Sequence, residues 1–288
     1  MRWIFKIVLA VLCFFAAEKF CRGKLSGFTV LSITSNLSHC PAWEVSAPSP
    51  EEIVSLKKIL DQPYSYLGKG VQSFVFASQD GKYVIKLFRH DNLSAPFFYP
   101  QLPFEWAQRR VAKKAGRLNH DFTSYKLAYD HLKFETGLLF LHLNPTFYLQ
   151  HHLDLVDKIG IHHRIPLDTT TFLIQKRAAG LYQTLDQMIQ EKRLDDAKAL
   201  LTKLVQFLAF RAHKGLHDKD PNLWTNFGVI GTDPVQIDVG RFRIKPDKLQ
   251  KDDIPRITRL LNQNLKNKCP ELSTHLQTEI EKMTKEEI

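Results

Sequence analysis

Cysteine is scarce in this sequence, and its spacing excludes small domains that are stabilised by disulfides or by zinc. The 288 residues include four cysteines, and no two of them form a C-x-x-C pair. A disulfide scaffold needs many closely spaced cysteines, and a zinc knuckle needs them in pairs. Both classes are therefore excluded. We expect unpaired thiols, with a bridge between Cys40 and Cys269 as the alternative.

Acidic side chains are too few to balance the basic ones. The chain carries 30 Asp and Glu against 40 Lys and Arg, a formal net charge of +10. Such a positive potential attracts anions, so phosphorylated ligands, anionic lipid and nucleic acid are the partner classes it favours. Because 44% of the residues are hydrophobic, the chain can bury a substantial core, which excludes a disordered protein.

An uninterrupted apolar run of full bilayer length is also missing. Arg2 and Lys6 precede an apolar run from Ile7 to Ala17, the layout of a signal sequence or a short membrane anchor. Phe14 or Phe15 occupies a cleavage position that requires a small residue, so an uncleaved anchor is favoured over secretion. Positive side chains after the run favour a domain that faces the cytoplasm: Lys19, Arg22 and Lys24. Residues 1–23 are therefore predicted to attach the protein to a membrane.

The remaining patterns predict a tether followed by an α+β protein in two lobes. Residues 24–50 are rich in Ser and end in Ala-Pro-Ser-Pro, which predicts a tether. Two β-rich runs, Ser73 to Ala77 and Lys82 to Phe88, are joined through Asp-Gly and predict a hairpin. Leu194 to Lys214 has the spacing of an amphipathic helix. Strands precede helices along the chain, so we expect a β-rich lobe over 51–177 and a helical lobe over 178–288.

A second helical region, Pro103 to Phe134, carries a basic face. Its members are Arg109, Arg110, Lys113, Lys114 and Arg117. A solvated helix surface explains such a face. The alternatives are contact with an anionic membrane surface or, less favoured, with nucleic acid.

Several residues whose side chains suit binding or catalysis follow one another in a definite order. A Gly-x-Gly turn at Gly68 and Gly70 precedes Lys86, which lies in an otherwise apolar strand. A lysine in such a strand needs an anion. Asp220, Asn226 and Asp238 then follow within a short stretch late in the chain. Two histidine pairs, 151–152 and 162–163, lack a cysteine or carboxylate framework at metal-ligand spacing and are interpreted as surface or structural residues.

In this order the elements resemble the protein-kinase-like superfamily, in a divergent form akin to atypical bacterial kinases and small-molecule phosphotransferases. The resemblance covers Tyr64 to Phe242. It implies a bilobal fold with a β-rich N-lobe and a shortened helical C-lobe, since no Ala-Pro-Glu element follows Gly240. It also implies ATP and Mg²⁺ as cofactors.

The resemblance assigns the phosphate-binding roles to the early residues. Gly68 and Gly70 would allow the backbone to approach the ATP phosphates, although Ser73 stands where the family has a third glycine. Lys86 would bind the α- and β-phosphates and pair with a helix carboxylate. Glu135 is the preferred partner, on the expectation that Tyr125 to Glu135 forms a packed helix. Two other carboxylates remain open: Glu105 and Asp130.

The resemblance assigns the chemical step to the late residues. Asp220 matches the catalytic aspartate that accepts the proton of the substrate hydroxyl, with Asp218 as a rival. Asn226 and Asp238 match the two metal ligands. The spacing from Asp220 to Asn226 is one residue longer than in the family, so Asn222 is an alternative ligand.

The resulting prediction is an atypical kinase that transfers the γ-phosphate of ATP to a hydroxyl of a protein, lipid or small molecule. The alternative is a pseudokinase, a membrane-tethered binding module without turnover.

Overall fold

The computed structural model describes residues 2–96, 98–244 and 253–285. They divide into two compact units. Unit 1 comprises Met1–Leu118 and His142–Ile174, and unit 2 comprises Asn119–Leu141 and Gln175–Ile288. The chain therefore passes from one unit to the other three times, first within a long helix.

Helices and strands follow each other in mixed order. The helices are α1 (Arg2–Lys24), α2 (Val30–Ile33), α3 (Pro50–Leu60), α4 (His90–Leu93), α5 (Glu105–His131), α6 (Leu181–Gln190), α7 (Leu194–His213), α8 (Leu223–Asn226), α9 (Asp253–Lys268) and α10 (Pro270–Lys285). The strands are β1 (Tyr64–Lys69), β2 (Ser73–Ser78), β3 (Tyr83–Phe88), β4 (Leu138–His142), β5 (His152–Val156), β6 (His162–Pro166), β7 (Phe172–Lys176), β8 (Ala179–Gly180), β9 (Leu216–Asp218), β10 (Phe227–Ile230), β11 (Asp233–Gln236) and β12 (Phe242–Ile244). The prediction of an α+β protein is confirmed.

The main sheet has seven strands in the order β4-β7-β3-β2-β1-β5-β6. The predicted hairpin is confirmed as β2 and β3, which pair antiparallel with Val75 opposite Lys86 and Ala77 opposite Val84. Gly81 in the connecting turn has φ +72°, a left-handed conformation that glycine adopts without steric cost.

The amino-terminal helix α1 contradicts the predicted membrane anchor. Residues 3–24 are exposed along its length. Among the described residues, no helix combines the length and the apolar character required to cross a membrane. The run from Ile7 to Ala17 rises only about 16 Å at 1.5 Å per residue, roughly half of a bilayer core, and charged side chains flank it. The prediction of membrane attachment through this segment is therefore wrong.

The segment predicted as a tether is packed into unit 1. Phe28, Ile33 and Trp43 are buried, and the Phe28 ring centroid lies 5.3 Å from that of Phe74 and 5.2 Å from that of Phe76. Such edge-to-face contacts add to the apolar burial. Residues 28–43 thus contribute to the core of unit 1 instead of connecting it loosely to a preceding segment.

Unit 2 is built on a helical core. Its buried apolar side chains come mainly from α6, α7, α9 and α10. The predicted amphipathic helix is confirmed as α7, which buries Leu200, Leu204 and Leu208 against this core. Two small sheets complete the unit, one in the order β11-β10-β8 and the other pairing β12 with β9. All four cysteines are free thiols.

Candidate functional site

Two pairs of short strands bring the late predicted residues together in unit 2. Strand β9 pairs with β12, with Asp218 opposite Phe242, and β10 pairs with β11, with Phe227 opposite Gln236. The segment 219–226 links β9 to β10, and the segment 237–241 links β11 to β12. Because the linked strands are paired at both ends, the two connecting segments must lie side by side.

Asn226 is the junction between these segments. Its side-chain Nδ2 donates to the carbonyl of Asp220 at 2.7 Å. Its own carbonyl accepts from the N–H of Ile237 at 2.8 Å and from the N–H of Asp238 at 3.4 Å. Asn226 is 8% exposed, whereas Asp220 and Asp238 are exposed. The structure therefore brings the three predicted residues into one cluster, with the two carboxylates accessible.

The longer spacing between Asp220 and Asn226 is taken up by helix α8. Asn222 lies at its N-cap, where its side-chain Oδ1 accepts from the N–H of Trp224 at 2.9 Å and its carbonyl accepts from the N–H of Asn226 at 2.9 Å. This is the ordinary role of asparagine at a helix start. The side chain of Asn222 thus has a structural use, and Asn226 is the asparagine that contacts both neighbouring segments.

The oxygens at this cluster fit a magnesium site with few protein ligands. The Oδ1 of Asn226 accepts one hydrogen bond, from the Thr225 hydroxyl at 2.9 Å, and an amide oxygen has a second lone pair. The Oδ1 of Asp238 accepts from the N–H of Gly240 at 3.2 Å. Mg²⁺ is commonly held by one or two such side chains together with water and phosphate oxygens. No group of three or more His, Cys, Asp or Glu suited to a metal occurs within the described ranges.

A buried network supports the cluster from beneath, and sequence reasoning missed two of its members. Arg211 is 4% exposed and Asp218 is 3% exposed. Gln236 links them, since its Oε1 accepts from Arg211 Nη1 and its Nε2 donates to Asp218 Oδ2, both at 2.5 Å. The other carboxylate oxygen of Asp218 accepts from the N–H of Asp220 at 2.9 Å. Asp218 thereby orients the backbone of Asp220.

Burial dominates the electrostatics of this network. Burial raises the pKa of Asp218, and the charge of Arg211 together with hydrogen bonds from Asp220 and Gln236 acts against that rise. Burial also lowers the pKa of Arg211, against the charge of Asp218. A carboxylate enclosed in this way cannot reach a substrate. The buried position of Asp218 therefore suits the predicted role of proton acceptor less well than the exposed position of Asp220 does.

Helix α5 anchors the second segment through Ser124, a residue without any sequence signal. Its hydroxyl donates to the carbonyl of Val239 and accepts from the N–H of Phe242 at 2.6 Å. Ser124 is fully buried, so both bonds are shielded from water. The conformation of the segment that carries Asp238 therefore depends on a residue more than a hundred positions earlier.

Three cations lie in or directly after the two connecting segments that carry Asp220 and Asp238. Burial lowers the pKa of His120, and the nearby charges of Arg243, Lys219 and Arg241 lower it further. These three cations are exposed, and the backbone N–H of Lys219 donates to the carbonyl of Arg241 at 3.4 Å. A local concentration of positive charge of this kind attracts anions.

The early predicted residues lie in unit 1, in or directly after strands of the main sheet. Lys86 is half-buried in β3. Gly68 lies at a register shift between β1 and β2, and a Cβ added there would meet nothing within 4 Å. The N–H of Gly70 donates to the carbonyl of Ser73 at 2.8 Å, and its own carbonyl accepts from Arg89 Nη1 at 3.2 Å. Open space above Gly68 is what an approaching phosphate needs.

The proposed helix carboxylate is misplaced. Helix α5 ends at His131, so Glu135 lies in the turn between α5 and β4, where its carbonyl accepts from the N–H of Gln236 at 2.9 Å. The prediction that Tyr125 to Glu135 forms one helix is wrong, because a turn follows His131 and closes at Gly137, which has φ +63°.

The two alternative carboxylates are on α5, and both contact neighbouring cations. Glu105 forms an ion pair with Arg109, and Asp130 with Lys126 at 3.0 Å. Each partner is four residues away, the spacing that places two side chains on one helix face.

The basic face of α5 and the histidine pairs are at the surface of unit 1. Four of the five cations on α5 are exposed, and the fifth, Lys114, donates to the carbonyl of Asn92. Contact with an anionic membrane surface stays a prediction. His162 and His163 contact Asp154 at 3.0 Å and Asp157 at 2.9 Å, and none of the histidine pairs belongs to a metal-binding cluster in the part of the chain that the structure covers.

Comparisons with known proteins return distant structural similarity. WbdD bound to the kinase inhibitor LY294002 is 16% identical with a TM-score of 0.35, over 76% of this chain and 45% of that chain. A second structure, described as the bifunctional kinase-methyltransferase WbdD, is 17% identical with a TM-score of 0.33, over 74% of this chain and 43% of that one. Rv3197 from Mycobacterium tuberculosis, in complex with erythromycin, is 16% identical with a TM-score of 0.33, over 82% of this chain and 61% of that chain.

The chain thus spans about half the length of these WbdD structures. Neither a protein-family model nor a curated protein matches the sequence. Similarity at these TM-scores carries no argument about activity, so the function must be argued from the cluster itself.

Proposed function

We propose that this chain is an ATP- and Mg²⁺-dependent phosphotransferase of kinase-like type, which moves the γ-phosphate of ATP to a hydroxyl group. The observation that carries the proposal is the contact of Asn226 with both Asp220 and Asp238. Three residues of the types needed for metal-assisted phosphate transfer meet in one cluster with both aspartates exposed, although they are spread over 19 positions of sequence, from 220 to 238.

Asp238 and the Oδ1 of Asn226 would hold Mg²⁺. When bound, the ion neutralises charge on the phosphate oxygens and orients the terminal phosphate. The cations Lys219, Arg241 and Arg243 would raise the local concentration of the nucleotide, since they lie in or directly after the segments that carry Asp220 and Asp238.

Asp220 would accept the proton of the acceptor hydroxyl. The hydroxyl oxygen forms a bond to the γ-phosphorus, the bond from that phosphorus to the ADP oxygen breaks, and the proton moves to the carboxylate. Asp218 holds the N–H of Asp220 in place, and Asn226 holds its carbonyl. The backbone of Asp220 is thus fixed at both its N–H and its carbonyl, while the residue stays exposed.

Lys86, Gly68 and Gly70 keep the roles that the family resemblance assigns to them, on the ATP phosphates. These roles are independent proposals for unit 1.

The test measures binding and turnover separately. We expect Mg²⁺-ATP to raise the melting temperature of the wild type, and ADP to form slowly with water as the acceptor. Asp220→Asn should keep the thermal shift and lower ADP formation about 10²- to 10⁴-fold, the usual contribution of a positioned base. Asp238→Asn should lose the Mg²⁺-dependent part of the shift.

Asp233→Asn is the matched control, because Asp233 is an exposed carboxylate of unit 2 whose partner is Lys203. It should change neither readout. A wild type that forms no ADP and whose melting temperature responds little to Mg²⁺-ATP would overturn the phosphotransferase and support the binding-module alternative.

A further inference from the structure

A pocket with a volume of about 540 Å³ opens beside Asp220 in unit 2. Its walls come from α6, from the segment that carries Asp220 and from α9, and they include Tyr182, Asp220, Trp224, Arg256, Arg259 and Asn264. Pockets for small molecules usually fall between about 300 and 1,000 Å³. The volume therefore suits a ligand of the size of a sugar or polyol derivative.

One wall of this pocket is aromatic. Trp224 is 63% exposed, and its ring centroid lies 4.6 Å from that of Tyr182 at an interplanar angle of 55°. Beneath it, Leu223 and Ile257 are buried in or beside the core of unit 2. A large exposed indole on the short helix α8 offers a flat apolar surface, which fits the C–H face of a ring-shaped ligand.

Helix α9 contributes cations to the lining of the pocket. Arg256 and Arg259 are three residues apart on α9, so they project from the same side of the helix. Arg256 forms an ion pair with Asp253 at 2.9 Å. Arg259 is exposed and makes no hydrogen bond or ion pair with another described residue. A guanidinium binds phosphate through two parallel hydrogen bonds.

We propose that this pocket binds the acceptor, and that the acceptor is a hydroxylated ring or polyol that already carries a phosphate group. Its phosphate contacts Arg259, its ring packs on Trp224, and its free hydroxyl reaches Asp220. This inference rests on the proposed phosphotransferase function, whose base lines the same pocket. The product would then be a bisphosphorylated ligand and ADP, with the hydroxyl proton on Asp220.

Binding is tested without nucleotide by the fluorescence of Trp224 in the full chain. The probes are myo-inositol 1-phosphate, glucose 6-phosphate and inorganic phosphate, with unphosphorylated myo-inositol and glucose beside them. We expect saturable quenching by the phosphorylated polyols, competition by inorganic phosphate, and binding at least tenfold weaker for the unphosphorylated forms. Trp224→Phe should remove the signal, which assigns it among the four tryptophans.

Variants of α9 assign the phosphate contact. Arg259→Ala should weaken binding of the phosphorylated probes about tenfold or more and leave the unphosphorylated ones unchanged, and Arg259→Lys should restore part of the loss because it keeps the charge. Lys266→Ala is the matched control, since Lys266 is an exposed cation on the same helix outside the pocket. Equal affinity of wild type and Arg259→Ala for every phosphorylated probe would overturn the proposal.

A lipid headgroup and a free sugar phosphate present the same chemistry. Phosphatidylcholine vesicles with and without phosphatidylinositol separate these sources: Arg259-dependent binding to the inositol lipid identifies a headgroup, and binding to the soluble probes alone identifies a free phosphate. Absence of Arg259-dependent binding in both arms overturns the proposal.

ADP formation distinguishes failure of this inference from failure of the proposed function. Stimulation by phosphorylated and unphosphorylated polyols alike, unchanged in Arg259→Ala, would leave the phosphotransferase and exclude the phosphate subsite. Arg259-dependent binding without any ADP formation would leave the ligand site and exclude the transfer reaction.

Discussion

The two units hold their candidate residues in different ways. In unit 2, Asn226 is hydrogen-bonded to Asp220 and to Asp238. The buried side chain of Asp218 accepts from the N–H of Asp220, and the buried hydroxyl of Ser124 binds Val239 and Phe242, which follow Asp238. In unit 1, Gly68 and Lys86 lie in paired strands of the main sheet, and Gly70 directly follows strand β1.

A cluster tied together by polar side chains has few structural explanations, because buried polar networks are costly unless fully satisfied. A glycine or a lysine in a β-hairpin, by contrast, has many structural explanations. The proposed function therefore depends mainly on unit 2, and four experiments test this contrast.

Removing the buried cation of unit 2 should have the largest effect on stability. Arg211→Ala leaves the Asp218 carboxylate enclosed without its charge partner, and losing one member of a buried pair costs about 3–5 kcal/mol. Denaturant unfolding measures the loss. Arg193→Ala is the control, because Arg193 forms ion pairs with two carboxylates but is half exposed, and exposed pairs contribute about 1 kcal/mol or less. Equal effects of the two variants would contradict the support role of the network.

Acid should destabilise unit 1 through His90. This residue is 7% exposed, its Nε2 contacts the Thr171 hydroxyl at 2.7 Å, and burial lowers its pKa from 6.5 to about 4. Because the folded pKa is lowered, the unfolded chain binds a proton first. Stability is therefore fully present above pH 6.5 and is lost as the pH falls toward 4, by about 3 kcal/mol at most.

The measurement is the free energy of unfolding between pH 7 and 4. His90→Gln should lessen the loss over this window, whereas His39→Gln should not, since His39 is exposed. An unchanged pH slope in His90→Gln would show that other groups dominate, His142 being the first candidate because burial lowers its pKa as well.

Lys86 tests whether unit 1 takes part in nucleotide binding. If the resemblance assigns it correctly, Lys86→Met should weaken Mg²⁺-ATP binding about tenfold, or about 1.4 kcal/mol, through loss of a charged contact to phosphate. Isothermal titration calorimetry measures this change. Lys82→Met, in the exposed turn before β3, is the control. Identical affinities for all three proteins would confine the site to unit 2.

Gly68 gives the smallest expected change. Its φ lies outside the left-handed region and an added Cβ meets open space, so Gly68→Ala should alter stability by less than about 1 kcal/mol. A fall in ATP affinity without a fall in melting temperature would support close approach of phosphate there. Gly81→Ala, at φ +72°, should by contrast destabilise the hairpin.

Local patterns predicted the regular elements and failed where distant contacts decide. The alternation of residues 73–88 predicts the hairpin, and the spacing of residues 194–214 predicts α7, because both depend on near neighbours in sequence. The tether assigned to 24–50 has an irregular composition, but Phe28 and Trp43 are buried in unit 1. The membrane anchor failed because the apolar run between its charged flanks is too short. Glu135 was placed on a helix that ends at His131.

The sequence by itself determined the α+β character, the hairpin, helix α7 and the order of the candidate residues, since each follows from local periodicity or composition. Only the tertiary structure decided that Asn226 joins Asp220 to Asp238, that Arg211 and Gln236 enclose Asp218, and that Ser124 holds the segment before Phe242. These contacts join residues up to 118 positions apart. Local preference cannot specify them, because they form only when the core excludes water and polar groups must bond to one another.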